Sequence, residues 1–257
     1  MRNIRIIAKL EIKGSNLVKG YQFEGLRKIG NPSDFVLKYY LQGADEIFCD
    51  DIVASLYERN SLLDIIDAST NDVFIPITVG GGIRSIEDVT SALNAGADKV
   101  SINTAAIKNP SLIKEISEKF GSSCTVLSIQ AKSKNQGWEA YYDNGREPSG
   151  FDVVEWAVKA QDLGVGEIFL TSVDKEGTAK GLDIELINAV SSVVSVPVVA
   201  SGGAGSCKDI ESAVKDGGAD AIALAHVLHY EKLSINQIRD YLIEKNIPVR
   251  KLSEFEA

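Results

Sequence analysis

Residues 77–95 read ITVGGGIRSIEDVTSALNA: a short β-branched run, three glycines, a serine, and then an amphipathic stretch at helical spacing. Strand, glycine turn and helix make one βα unit. The pattern continues in both directions. IRIIAKLEI, ADEIFCDDI, IPITV, ADKVSI, TVLSIQA, GEIFLTSV, VPVVAS and ADAIALA read as strands. SDFVLKYYLQ, LLDIIDAST, SIEDVTSALNA, PSLIKEISEKF, VVEWAVKAQDL, DIELINAVSSV, KDIESAVKDG and SINQIRDYLIEK alternate with them as helices. Eight βα units in one unbroken series predict an α/β fold of the (β/α)8, or TIM, barrel type.

The two halves of the chain resemble each other at a fixed offset. Gly43, Glu46, Ile47 and Phe48 recur as Gly164, Glu167, Ile168 and Phe169, and Gly81, Gly82, Ser85, Asp88 and Ala92 recur as Gly202, Gly203, Ser206, Asp209 and Ala213, always 121 positions on. Two separate segments at one offset predict two similar half-barrels, about 1–121 and 122–257. The 257 residues, 44% hydrophobic and 25% charged, suit one barrel over 1–257, and no Pro/Gly/Ser-rich linker divides them.

A net charge of −9 and a pI near 4.9 argue against a nucleic-acid groove or an anionic membrane surface as partner. Charges at positions 2, 5, 9, 11 and 13 interrupt the N-terminal apolar residues, so neither a signal peptide nor a membrane span is expected. Cys49, Cys124 and Cys207 are isolated, which fits core residues in a reducing compartment rather than a metal knuckle. The chain therefore reads as cytoplasmic, with no metal and no cofactor.

Function in such a barrel sits at the C-terminal ends of its strands. ITVGGGIRS (77–85) and VASGGAGS (199–206) place glycines there, where a backbone can approach an anion and a following helix N-terminus offers N–H groups. One such pair would be an ordinary tight turn. Two at equivalent places predict two phosphate sites: Gly81 and Gly82 with Ser101, Asn103 and Thr104, and Gly202 and Gly203 with Ala225, His226, Gly177 and Thr178. The ligand then carries a phosphate at each end.

GADKVSINTAAIKNPSLI (96–113), GEIFLTSVDKEGT (166–178), VASGGAG (199–205), YLIEKNIPVR (241–250) and VKG (18–20) make the chain resemble, over essentially its full length, the cyclase subunit of imidazole glycerol phosphate synthase. That resemblance implies a separate glutaminase subunit docked on the barrel bottom, with Asp98 at the contact. It implies ammonia passing up the lumen through a gate of Arg5, Glu46, Lys99 and Glu167 to a bisphosphorylated ribonucleotide. It also places Asp51, Asn103, Ser172 and Asp174 around the ligand, and Lys19 in a mobile loop after strand 1.

Alternation in strand 1 turns Ile4, Ile6, Ala8, Leu10 and Ile12 toward the helices and Arg5, Ile7, Lys9 and Glu11 into the lumen. Here the chain departs from the family it resembles. That family uses two aspartates as acid and base, and their positions hold Glu11 and Gln130. The longer Glu11 displaces its carboxylate by about one C–C bond, and the Gln130 amide neither takes nor gives a proton at neutral pH. Lys9 replaces a small residue, as an ion-pair partner of Glu11 or as a substitute acid/base, and His226 replaces a serine. Retained gate and altered mouth together imply ammonia delivery to another acceptor. Relatives in surface-sugar pathways act with a glutaminase and a third enzyme that turns an N-acetyl group into an acetamidino group. The alternative is an authentic histidine-pathway cyclase.

Overall fold

The computed structural model describes residues 3–54 and 62–252. Its strands are β1 (Arg5–Lys13), β2 (Asn16–Tyr21), β3 (Glu24–Gly30), β4 (Glu46–Asp51), β5 (Ile77–Gly80), β6 (Lys99–Ile102), β7 (Thr125–Lys134), β8 (Gly137–Tyr142), β9 (Glu147–Asp152), β10 (Glu167–Ser172), β11 (Val198–Ser201) and β12 (Ala221–Leu224). Eight of them, β1, β4, β5, β6, β7, β10, β11 and β12, pair in parallel in that order. The circle closes where β12 meets β1 at Arg5↔Ala221 and Ile7↔Ala223. The (β/α)8 barrel read from the eight units is the fold.

Closure sorts side chains by parity. Ile6, Ala8, Leu10 and Ile12 join the large core between strands and helices, while Ile7 faces a separate lumenal cluster of Phe48, Val126, Phe169, Val199, Ala221 and Ala223. Phe48 and Phe169, 121 positions apart, stack with ring centroids 4.0 Å apart across the lumen. Aspartates fasten the strand starts below. Asp45 accepts from the Ile6 N–H, Asp98 from Ile77 and Asp220 from Val198, at 2.8, 2.8 and 3.0 Å. Each follows an alanine and directly precedes a strand, so one short motif closes three steps of the barrel floor.

The two glycine turns are alike in detail. Gly81 and Gly202 have φ of +83° and +93°, and a Cβ on either would meet a strand-end carbonyl, that of Asp51 at 2.2 Å or of Ser172 at 2.7 Å. Helices Ile86–Asn94 and Cys207–Lys215 follow, each opened by a capping box, Ser85 with Asp88 and Ser206 with Asp209. Those boxes consume several of the N–H groups expected to be open for an anion. The Arg84 and Ser85 N–H groups, like those of Gly205 and Ser206, donate to the box aspartates.

Two hairpins were not legible from periodicity. β1 continues through a turn at Gly14 into β2 and β3, and β7 runs past Gln130 to Lys134 before returning as β8 and β9. Gln130 is therefore a mid-strand residue, paired with Tyr141. The hairpin turns meet over the mouth: a Cβ on Gly145 would lie 3.1 Å from the buried Phe23 ring.

Gly81→Ala combines a left-handed backbone with a carbonyl clash, whereas Gly14, at φ +59°, faces open space. Urea denaturation is expected to show Gly14→Ala costing about 1 kcal/mol and Gly81→Ala about 3 kcal/mol or more. Equal costs would contradict the close approach at Asp51.

Candidate active site

The barrel floor carries a closed ring of four charges. Arg5 bridges Glu46 at 2.8 Å and Glu167 at 3.0 Å, and Lys99 bridges the same two carboxylates at 3.0 and 3.3 Å. Thr78 donates a further 2.6 Å hydrogen bond to Glu46. Alternating signs make the ring neutral, and each carboxylate meets two cations. All four residues singled out in the sequence thus come together. Asp98 lies nearby, exposed at the floor, with one oxygen taken by Ile77.

Above the stacked phenylalanines lies a second ionic cluster. Lys9 is 3.2 Å from Glu11, and its ammonium stands over the Phe23 and Phe169 rings at 5.3 and 5.8 Å. The ion pair anticipated between Lys9 and Glu11 is present. Lys19 is a correction: it lies in β2 rather than in a loop, it is 2% exposed, and its ammonium pairs with Glu11 at 2.8 Å and with Glu176. Val18 is the residue paired opposite Glu11, and the Lys19 ammonium reaches Glu11 from the next position and Glu176 at the edge of the second glycine turn. Burial alone would raise the Glu11 pKa, yet Lys19 and Lys9 outweigh it and hold the carboxyl below its usual range. Burial works against the Lys19 ammonium, and Glu11 and Glu176 reverse that, leaving its pKa raised. Opposite, Gln130 accepts a 2.7 Å hydrogen bond from the Gly145 N–H. The two positions where an acid and a base were looked for hold a doubly neutralised carboxylate and an engaged amide.

A cavity of about 230 Å³ opens beside this cluster. It gathers Asp51, Gly81, Gly82, Ser101, Asn103, Thr104 and Gln130. Asn103 donates to the Ser128 and Tyr141 carbonyls at 3.0 and 3.1 Å, and Thr104 bonds Asp143, so both also fasten β8 to the barrel. Sequence reading missed Asp50, Arg84, Lys108 and Asn144, which line the same space. Asp50 shares lumenal parity with Glu46 and Phe48, and that signal could have found it. Arg84 and Lys108 are exposed cations at the rim.

The second glycine turn borders a cavity of only about 20 Å³, room for about one water. Gly177, Gly202, Gly203, Ala225 and His226 line it, with Glu176. His226 Nε2 sits 3.0 Å from the Lys232 ammonium, which donates to it. Burial and that cation hold His226 below its ordinary pKa and keep the ring neutral. Besides Lys19, three residues expected at the ligand line neither cavity: Thr178 donates to the Lys175 carbonyl at 2.7 Å, and Ser172 and Asp174 are engaged elsewhere. Ser172 donates to Asp183 at 3.3 Å, and Asp174 accepts from the Ser133 N–H at 2.8 Å, so both tie loops together at the mouth. The two cavities share no lining residue. Among the described residues no group of three or more His, Cys, Asp or Glu is placed to hold a metal ion, and no helix is long and apolar enough to cross a membrane.

Replacing Lys19 by Met leaves Glu176 buried without its ammonium and Glu11 with Lys9 alone. Lys19→Met is expected to cost about 3–5 kcal/mol near neutral pH. The depressed Glu11 pKa contributes stability above the unfolded value of 4.5, lost as pH falls through the lower folded one. The raised Lys19 pKa contributes below the unfolded 10.5 and is lost as pH rises through the higher folded one. The difference between wild type and variant should thus be flat between these limits and shrink in acid, read by urea titration across pH.

The model of the family described as "Histidine biosynthesis protein" matches residues 5–234. A Legionella pneumophila protein named "Imidazole glycerol phosphate synthase subunit HisF" is 57% identical over 210 residues, 81% of this chain and 99% of that one. One of the same name from Dehalococcoides mccartyi is 46% identical over 250 residues, 97% and 99% of the two chains. With a barrel whose floor ring and paired glycine turns are in place, and identity of this order over nearly its whole length, the chain belongs to the histidine biosynthesis protein family, in its HisF branch.

Proposed function

We propose that the chain is a HisF-type barrel that receives ammonia from a glutaminase bound at its floor, holds a phosphorylated small molecule at the larger cavity, and has diverged from cyclase chemistry. Its ammonia then serves amidine formation, the conversion of an N-acetyl to an acetamidino group on a surface sugar by a third enzyme. One observation carries the divergence. Neither acid/base position is free to exchange a proton: Glu11 is clamped between two ammonium groups, and Gln130 is an amide held by Gly145. General acid–base catalysis needs a group with an accessible proton and a pKa near the working pH.

Ammonia reception is supported by the floor ring. Four alternating charges shut the lumen in the closed state, and losing one cation–carboxylate contact opens a path without leaving a charge alone, since each carboxylate keeps another cation. Phosphate at the larger cavity is supported by the Gly81–Gly82 turn and by Arg84 and Lys108 at its rim. An authentic cyclase is the second reading, and the identity to proteins named imidazole glycerol phosphate synthase subunit HisF favours it.

The purified chain, given the bisphosphorylated aminoimidazole carboxamide ribonucleotide and ammonium chloride, is expected to form no imidazole glycerol phosphate. Measurable turnover by the wild type would establish the cyclase reading instead. In parallel, the chain is expected to bind a HisH-type glutaminase in gel filtration and to raise its glutamine hydrolysis. A Gln130→Asp variant separates loss of one carboxyl from a wider rebuilding of the mouth: gain of turnover would place the block at Gln130 alone, and continued silence would place it also in the Lys9–Glu11–Lys19 cluster.

A further inference from the structure

Asp50 is the acidic side chain of the larger cavity that the reactions considered so far leave unused. Its position follows from alternation in β4, where Glu46, Phe48 and Asp50 point inward in turn. A Cβ on Gly80 would meet Asp50 Oδ1 at 2.9 Å and the Ser101 Cβ at 3.4 Å, so the carboxylate lies in the notch that a glycine leaves and beside Ser101. The Asp50 carboxylate makes no hydrogen bond or close ion pair among the described residues, while its backbone is held in the β1–β4–β5 pairing. Two further polar groups facing the same space lack partners: Ser101 Oγ, on a side chain 2% exposed, and Asn144 Nδ2, on one 8% exposed. Buried polar atoms without partners are rare, and two of them facing one cavity beside an unengaged carboxylate give that cavity unused hydrogen-bonding capacity. The cavity is also polarised, with a carboxylate at its inner end and Arg84 and Lys108 at its rim.

We propose that Asp50 holds a basic nitrogen of the bound molecule, an amine, amidine or ammonium group, while the anionic end of that molecule lies at Gly81 and Gly82. This rests on the reading that the cavity takes a phosphorylated ligand, and it narrows that ligand to one bearing a basic nitrogen. Ser101 Oγ and the Asn144 side chain complete the recognition of the same polar end. The groups facing Asp50 act in opposite senses. Burial pushes its carboxyl up, Lys9 on β1 pulls it down, and Glu11 on β1 and the adjacent Asp51 push it up, to about 6 in all. Gly80 on β5 and Ser101 on β6 bring no charge. The carboxylate therefore forms as pH rises through that value, and a cationic nitrogen binds better above it.

A matched pair of probes tests this: glucosamine 6-phosphate and glucose 6-phosphate, with inorganic phosphate as competitor, by isothermal titration calorimetry. The wild type is expected to bind the amino compound about tenfold more tightly at pH 8. The preference should fall toward unity in Asp50→Asn, which still binds inorganic phosphate, and in the wild type at pH 5. The pH arm needs no variant, so a poorly folding substitution leaves the test intact. A preference unchanged in Asp50→Asn, or flat with pH while phosphate still competes, overturns the role of Asp50 alone. Absence of inorganic phosphate binding to the wild type overturns the phosphorylated-ligand reading and this proposal with it.

Discussion

Closing eight strands into a cylinder forces every second residue into a space that water cannot solvate freely. Each charge placed there needs a neutralising partner within the lumen itself. The interior obeys this layer by layer: a neutral four-charge ring at the floor, an apolar layer with stacked Phe48 and Phe169, then Lys9, Glu11 and Lys19 joined to Glu176. Because an even step along a strand stays within the lumen and an odd step leaves it, the lumenal charges of β1 fall at Arg5, Lys9 and Glu11 with Ile7 between the first two, and Lys13 is exposed at the strand's end. Chemistry at the mouth is confined to side chains that the pairing leaves over.

Parity also explains how much could be read before any coordinates. The alternation of β1, the eight units and the glycines of the first cavity rest on local periodicity or on repetition at 121 positions, which a sequence displays directly, whereas the four floor charges were implied by the resemblance to the cyclase family. The β2–β3 and β8–β9 hairpins escaped because their residues are mixed and partly exposed, with register shifts in both, so no clean period marks them. The misplacement of Lys19 follows from that omission. A lysine in an apparent loop reads as a solvated ligand contact, whereas one in a strand paired to β1 becomes a buried counter-ion. Asp50 was passed over for its neighbour Asp51, although the two-residue period of EIFCDD, with Glu46 and Phe48 inward, already assigns Asp50 to the lumen.

The departures from the family pattern are mutually consistent. A lysine inside the lumen requires a carboxylate nearby, and the longer Glu11 reaches both Lys9 and Lys19 through one oxygen. An amide at position 130 adds no second negative charge to that cluster, and its oxygen anchors the Gly145 turn. Floor and mouth differ in kind: the ring consists of four mutually neutralising residues, while the mouth holds a locked ionic lattice and, in the cavity beside it, the unengaged carboxylate of Asp50.

The contact of Gly145 with Phe23 has a kinetic consequence. The turn over β1 and the turn over β7 rest on each other, and the first is also tied to the loop after β10 through the Gln22 N–H and the Glu176 carbonyl at 2.9 Å. Were a molecule to span both cavities beneath these turns, it would have to part them together. Its association rate would then be set by the frequency of that opening and would level off at high ligand concentration, whereas a short molecule confined to the larger cavity would arrive at a rate proportional to its concentration.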